Sequence, residues 1–430
     1  MDRQRRQFLG RLGAAGVFIA AGLPLLKSCS RGNGGRRSRV VVIGGGYGGA
    51  TCARYLRQID PRIGVTLVEP KQHYVSCPFS NAVLGGLQPF DHLVQRYVRL
   101  RAQGVEIVHD RAVSLHPDRQ EIKLKGGVSL AYDWAVISPG ISMRWNYIPE
   151  GYDAAAARVL PHAWSGGDQL KLLHRQLTAM KDGGLFVISV PGAPFRCPPG
   201  PYERASLAAH YLKTQKPRSK ILILDANEKF AKQDLFEEAW EALYGDMIER
   251  IPISRGGIVE RVDVSTRTLF AEAGRFQPDV ANIIPFQSAG TFALENNLAD
   301  DTGWCPVEHD TFESTRVNNV HVLGDSCLAG AMPKSASSAN SQAKACSLAI
   351  AALVKGEKPP APSYHNTCYS LASPDYGFSI SDMYVYKGGG IKTVERAGGL
   401  SPLRASPEYR RKEAEYAQGW FDNINADTFG

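Results

Sequence analysis

The sequence contains no C-x-x-C pair, no C-x-x-C-H haem-attachment signal and no cysteine or histidine spacing of a zinc site. Those absences exclude a thioredoxin-like dithiol, a haem attached to this chain and a structural metal, and no metal ligands are expected. Beyond Leu26 no apolar run is long enough to cross a bilayer, so no membrane span is expected in the mature chain. An excess of one charge sign is also missing once the first residues are set aside. Nine basic residues up to Arg39 stand against Asp2 alone and account for the whole net charge of +8, leaving 41 basic and 41 acidic residues after them. A balanced chain of this kind offers no electrostatic footprint for nucleic acid.

What the first 35 residues do contain is a targeting pattern. Arg5-Arg6-Gln7-Phe8-Leu9 is a twin-arginine motif, followed by an apolar run from Leu12 to Leu26 that includes Pro24. It predicts export in the folded state to a bacterial periplasm, where disulfides persist. Leu26-Lys27-Ser28-Cys29 resembles a lipoprotein box, which makes Cys29 a candidate lipid anchor.

Arg39 to Ile43 reads as a buried strand, Ala50 to Ile59 as a helix and Val65 to Val68 as a second strand. Between the first two, Gly44, Gly46 and Gly49 satisfy G-x-G-x-x-G, and Glu69 ends the second strand. The first glycine permits a tight turn, the second lets backbone approach a pyrophosphate, and the third lets helix pack on strand. The helix N-terminus offers N–H donors to phosphate, and the acid suits ribose hydroxyls. Far downstream, Val322-Leu323-Gly324-Asp325 is a strand ending in an aspartate placed to bond the ribityl chain of FAD, as in flavoproteins with two dinucleotide folds. The fold class is therefore α/β: two Rossmann-like domains, an arrangement that resembles the glutathione-reductase type, plus a C-terminal domain for which that resemblance implies an interface role. The expected division is a leader and linker over 1–35, an FAD domain over 36–152 and 289–357, a second Rossmann-like domain over 153–288 and an aromatic-rich tail over 358–430.

The second unit has Leu185 to Val190 as its first strand, but Val190-Pro191-Gly192-Ala193-Pro194-Phe195-Arg196-Cys197-Pro198-Pro199-Gly200 follows it. Prolines and a phenylalanine obstruct a phosphate loop and remove donors, so no NAD(P)H site is expected and the flavin needs another reductant. Of the eight cysteines, Cys52 and Cys346 fall in helices and read as buried small residues. Cys77, Cys197 and Cys368 lie among prolines and polar residues, a context expected to be loop-like and exposed. Spacing alone leaves open which of these three is redox-active.

From Val40 to Gly430 the chain resembles the flavoprotein subunit of flavocytochrome c sulfide dehydrogenase. The resemblance is carried by Ala193 to Ser206, Gly303-Trp304-Cys305-Pro306-Val307, Met332-Pro333-Lys334-Ser335, Ser338-Ala339-Asn340-Ser341-Gln342 and Asp427-Thr428-Phe429-Gly430. It implies FAD linked covalently through Cys77 to the ring methyl, and a redox disulfide between Cys197 and Cys368. It also implies that Glu203 handles protons at the sulfur and that Lys334 and Ser335 approach the flavin; Trp420 matches a family tail aromatic, read first as packing and second as a residue between flavin and haem. On that basis hydrosulfide, or a sulfane-sulfur donor, opens the disulfide to a persulfide and a thiolate. The electron pair enters the flavin and leaves one electron at a time for a separate c-type cytochrome subunit, with sulfur or polysulfide as product. Two alternatives compete: a sulfide:quinone oxidoreductase, and a non-catalytic flavin or sulfane-sulfur carrier. The tail has one helical stretch, Pro407 to Gly419, whose polar composition does not suit a quinone enzyme's membrane face.

Overall fold

The computed structural model describes residues 37–145 and 147–430, so the twin-arginine motif and Cys29 lie outside the described residues. Along the chain come β1 (Arg39–Ile43), α1 (Tyr47–Ile59), β2 (Gly64–Val68), α2 (Ser80–Leu84), β3 (Glu106–Val108) and β4 (Trp134–Ile137). The second unit follows with α3 (Asp168–Ala179), β5 (Leu185–Val190), α4 (Gly200–Gln215), β6 (Lys220–Asp225), α5 (Gln233–Tyr244), β7 (Ile248–Ile251) and β8 (Val280–Ile283). The chain returns through β9 (Val320–Val322) and α6 (Ala336–Val354), then forms β10 (Ser363–Ser373), β11 (Tyr376–Lys387) and α7 (Pro407–Phe429).

Two parallel sheets organise these elements. The first runs β9-β4-β1-β2-β3 and the second β7-β6-β5-β8. Strands such as Arg-Val-Val-Val-Ile are apolar almost throughout because helices or loops cover both faces of a parallel sheet. β9 joins the first sheet after the whole second unit has been inserted, which carries Asp325 back beside the glycine turn. That returning strand is the connection expected from Val320 to Leu323 in the sequence.

The tail differs from expectation in three ways. It is not separate: residues 37–430 form one compact unit, and tail residues enter both cores, Tyr364 and Phe429 in the first and Phe378 and Phe421 in the second. Its helix does not stop at Gly419 but continues to Phe429, because Phe421, Ile424, Thr428 and Phe429 keep finding buried partners. Cys368 is not in a loop. It sits in the middle of β10, paired with Ile380 of the antiparallel β11, and its polar neighbours tie the strand to the start of α6: Asn366 Oδ1 accepts from the Ser335 hydroxyl and the Thr367 N–H donates to Ser337 Oγ.

Candidate active site

A cavity open to solvent lies where the two sheets and the tail meet. One wall is the glycine turn. Gly44 has φ +97°, and a Cβ there would fall 2.3 Å from the Ser138 carbonyl oxygen. At Gly49 a Cβ would fall 1.9 Å from the Gly44 carbonyl oxygen, so helix and strand can meet only without it. At Gly46, which lines the cavity, a Cβ would come to 3.3 Å from the Tyr74 ring, a tight contact that the ring would have to yield to. Helix α1 begins there without a side-chain cap and without an acid in its first turn, leaving its N–H donors to whatever anion enters. Glu69 Oε2 accepts the Gly45 N–H at 2.9 Å, which sets the carboxylate on the same wall. Asp325 faces the cavity from beyond β9, and burial raises its pKa against the pull of Arg196 and Lys334. Ser335 caps α6 by accepting the Ser338 N–H, and Ser335, Ala336 and Ser337 bring that helix end to the cavity. An uncapped glycine-rich helix start, two flanking acids and a second helix end fit a flavin dinucleotide.

The opposite wall carries sulfur. Cys77, Cys197 and Cys368 all line this cavity, as do Glu203, Arg196 and Trp420. Cys197 arrives on the proline-rich turn after β5, in the left-handed region at φ +57°, with its N–H donated to the Lys334 carbonyl at 2.8 Å. Thus the segment that would cradle a nicotinamide dinucleotide's phosphates delivers a thiol to the flavin side instead. The acid ending β6, Asp225, is taken up internally: its Oδ2 accepts from the Tyr202 hydroxyl and from Arg250 Nε, each at 2.7 Å.

The three thiols are free, so the disulfide implied by the resemblance is not formed here; Cys197 hydrogen-bonds Cys77, and the charge of Cys368 also acts on it. The hydrogen bond from Cys197 lowers the Cys77 pKa to about 6, against burial and with help from Arg196 and Arg204. The same contact, with burial, drives the Cys197 thiol upward. Glu203 Oε1 accepts the Leu371 N–H at 2.9 Å and Oε2 accepts from Asn81 Nδ2 at 2.8 Å; burial still raises its pKa.

Lys334 is placed off the cavity wall. Its ammonium donates to the carbonyls of Asp325 at 2.8 Å and Cys327 at 2.9 Å, and lies 3.7 Å from the Trp304 ring centre. It braces the turns that present Asp325 and Cys197, while Ser335 beside it reaches the cavity.

Three family models match the chain in succession. The pyridine nucleotide-disulphide oxidoreductase model covers 38–170, the central region of the sulfide dehydrogenase [flavocytochrome c] flavoprotein chain covers 170–285, and the flavin-binding region of flavocytochrome c sulphide dehydrogenase covers 360–429. A 45-residue stretch is 71% identical to the sulfide dehydrogenase [flavocytochrome c] flavoprotein chain of Chlorobaculum thiosulfatiphilum, covering 10% of this chain and 94% of that sequence. The chain belongs to this flavoprotein family. A more distant relative of the flavoprotein, the mitochondrial sulfide:quinone oxidoreductase of Mus musculus, is 22% identical over 341 residues, 74% of this chain and 72% of that one. Among solved structures, the sulfide:quinone oxidoreductase of Aquifex aeolicus superposes with TM-score 0.67 at 15% identity, over 91% of this chain and 92% of that one. Putidaredoxin reductase in its covalent putidaredoxin complex gives TM-score 0.64 at 15% identity, over 92% and 99%. At those identities the likeness shows the fold, which is the α/β architecture expected.

Three residues of the flavocytochrome-type flavoprotein's site went unassigned in the sequence reading. Arg204, 1% exposed, donates to Asn81 Oδ1, Asn282 Oδ1 and the carbonyls of His162 and Ala163. Asn81, so oriented, donates to Glu203 and to the Gly200 carbonyl. Lys232 donates to the Cys368 carbonyl. Arg204 adjoins Glu203 in the stretch that carries the family resemblance, a signal that could have found it; Lys232 lies in an ordinary charged segment and gave none.

Proposed function

We propose that this flavoprotein oxidises sulfide through a Cys197–Cys368 disulfide and FAD, and passes the electrons to a separate c-type cytochrome. The observation that supports this most is the convergence of Cys197, Cys368 and Glu203 on one cavity whose other wall is the dinucleotide glycine turn. Bound FAD would supply the two-electron acceptor. Gly44, Gly46 and Gly49, Glu69 and Asp325 would hold it, and the thiolate character of Cys77 suits a covalent bond to the ring methyl. Cys197 and Cys368, once oxidised, would take hydrosulfide as a persulfide plus a thiolate. Glu203, with its raised pKa, can hold the proton that hydrosulfide brings. The first turn of α6 places positive dipole at the cavity edge.

The family's flavin-binding model over 360–429 favours a cytochrome over a quinone acceptor. So does α7, which spends its apolar residues on the core, and no described helix is long and apolar enough to cross a membrane. The twin-arginine motif and the Cys29 box support periplasmic export with an optional lipid anchor. The test is anaerobic addition of sulfide to the flavin-loaded protein while the flavin spectrum is recorded, followed by oxidised cytochrome c and a soluble quinone in parallel. Bleaching, cytochrome reduction and loss of both in Cys197→Ser are expected. Preferential quinone reduction would move the protein to the quinone class, and no bleaching would leave the carrier reading.

A further inference from the structure

Lys232 caps the N-terminus of α5 in the left-handed conformation, at φ +64°, and is 5% exposed. Its ammonium makes two hydrogen bonds, both to one residue: the Cys368 carbonyl at 3.0 Å and Cys368 Sγ at 3.9 Å. The Phe378 ring centre lies 5.7 Å from the same nitrogen. A buried ammonium is costly unless something uses its charge; the carbonyl uses part of it, the Lys232 charge also acts on Glu203, and the one side-chain atom it hydrogen-bonds is Cys368 Sγ. The cations that line the cavity, Arg196 and Arg204, act most strongly on Cys77 rather than on Cys368. Glu203 and Cys77 also face Cys368 and oppose its ionisation, as burial does. Lys232 is therefore the cation assigned to the Cys368 sulfur.

In thiol–disulfide exchange the sulfur that leaves as the better-stabilised thiolate leaves faster, so a charge beside one sulfur of a pair sets the direction of opening. We propose that Lys232 is a positioning residue that fixes this direction. Hydrosulfide sulfur bonds to Cys197 Sγ, the Sγ–Sγ bond breaks, and its electron pair leaves on Cys368 Sγ as a thiolate against the Lys232 ammonium. Cys197 keeps the added sulfur as a persulfide; the disulfide is the oxidant, its Cys368 sulfur taking the electron pair that the sulfide sulfur gives up, and the hydrosulfide proton passes to Glu203. The inference rests on the sulfide-oxidising reading above and adds which cysteine carries the sulfur.

Two measurements on the flavin-loaded protein test it. The first equilibrates wild type, Lys232→Met and Lys232→Arg with glutathione buffers and reads the Cys197–Cys368 pair by alkylation. Removing the charge is expected to lower the equilibrium constant for reduction about tenfold, a potential about 30 mV more negative, with Arg restoring most of it. This readout needs no sulfide turnover. The second is a brief sulfide pulse on wild type, trapping and peptide mass spectrometry, with the extra sulfur expected on Cys197. An intact disulfide with unchanged potential in Lys232→Met, or wild-type persulfide on Cys368, overturns the role of Lys232 and leaves the sulfide reading standing. A Cys197–Cys368 pair that never forms a disulfide overturns both.

Discussion

Glu203 Oε1 accepts the backbone N–H of Leu371 at 2.9 Å, so an acid on α4 is tied to the strand three residues beyond Cys368. Its other oxygen is held by Asn81, so both partners are donors and a carboxylate suits them. Glu203→Gln brings an NH₂ against one of those donors. A loss of about 1–3 kcal/mol in denaturant unfolding is expected, the usual cost of stranding a buried polar group. The pH dependence has a definite sign. A carboxyl whose folded pKa is raised binds its proton more tightly in the native state. Its stabilising effect is full below the unfolded carboxylate pKa and is lost as pH rises through the folded value. The wild type should lose stability over that window relative to Glu203→Gln, and parallel slopes would exclude it.

Gly46 and Gly49 separate cofactor approach from packing. Gly46→Ala brings its methyl to 3.3 Å from the Tyr74 ring, a squeeze that a small ring shift relieves, so folding is expected to survive at a cost of about 1 kcal/mol. Flavin retention should fall at least tenfold, because the methyl occupies the path of the pyrophosphate. Gly49→Ala drives a methyl into the Gly44 carbonyl oxygen and should instead cost about 2–4 kcal/mol or prevent folding. Thermal melts paired with flavin content decide between the two patterns.

Cys77 offers a direct test of the thiol cluster. In flavin-free protein its alkylation rate should rise with an inflection near pH 6, the value set chiefly by the Cys197 hydrogen bond. Cys197→Ala should move that inflection up toward ordinary thiols. An unmoved inflection would assign the activation to Arg196 and Arg204 alone.

The sequence by itself determined the glycine turn, the acids Glu69 and Asp325 and the family, and through the family the three candidate cysteines, because each depends on local backbone chemistry or on a contiguous motif; that the cysteines share one cavity is decided by the fold. It also made the second unit's turn legible as unsuited to phosphate, since prolines act wherever they stand. Tertiary structure decided the rest. Cys368 looked like a loop residue because Asn and Thr flank it, yet pairing with β11 makes them strand residues. Gly419 looked like a helix end, but burial of Phe421, Ile424 and Phe429 outweighs a cost of about 1 kcal/mol for glycine in a helix. Lys334 is adjacent in sequence to a cavity residue but turns its charge onto two carbonyls, whereas Lys232, 136 positions before Cys368, brings its charge to that thiol. Charge placement of this kind depends on which chain segments burial brings together, and no spacing in the sequence records it.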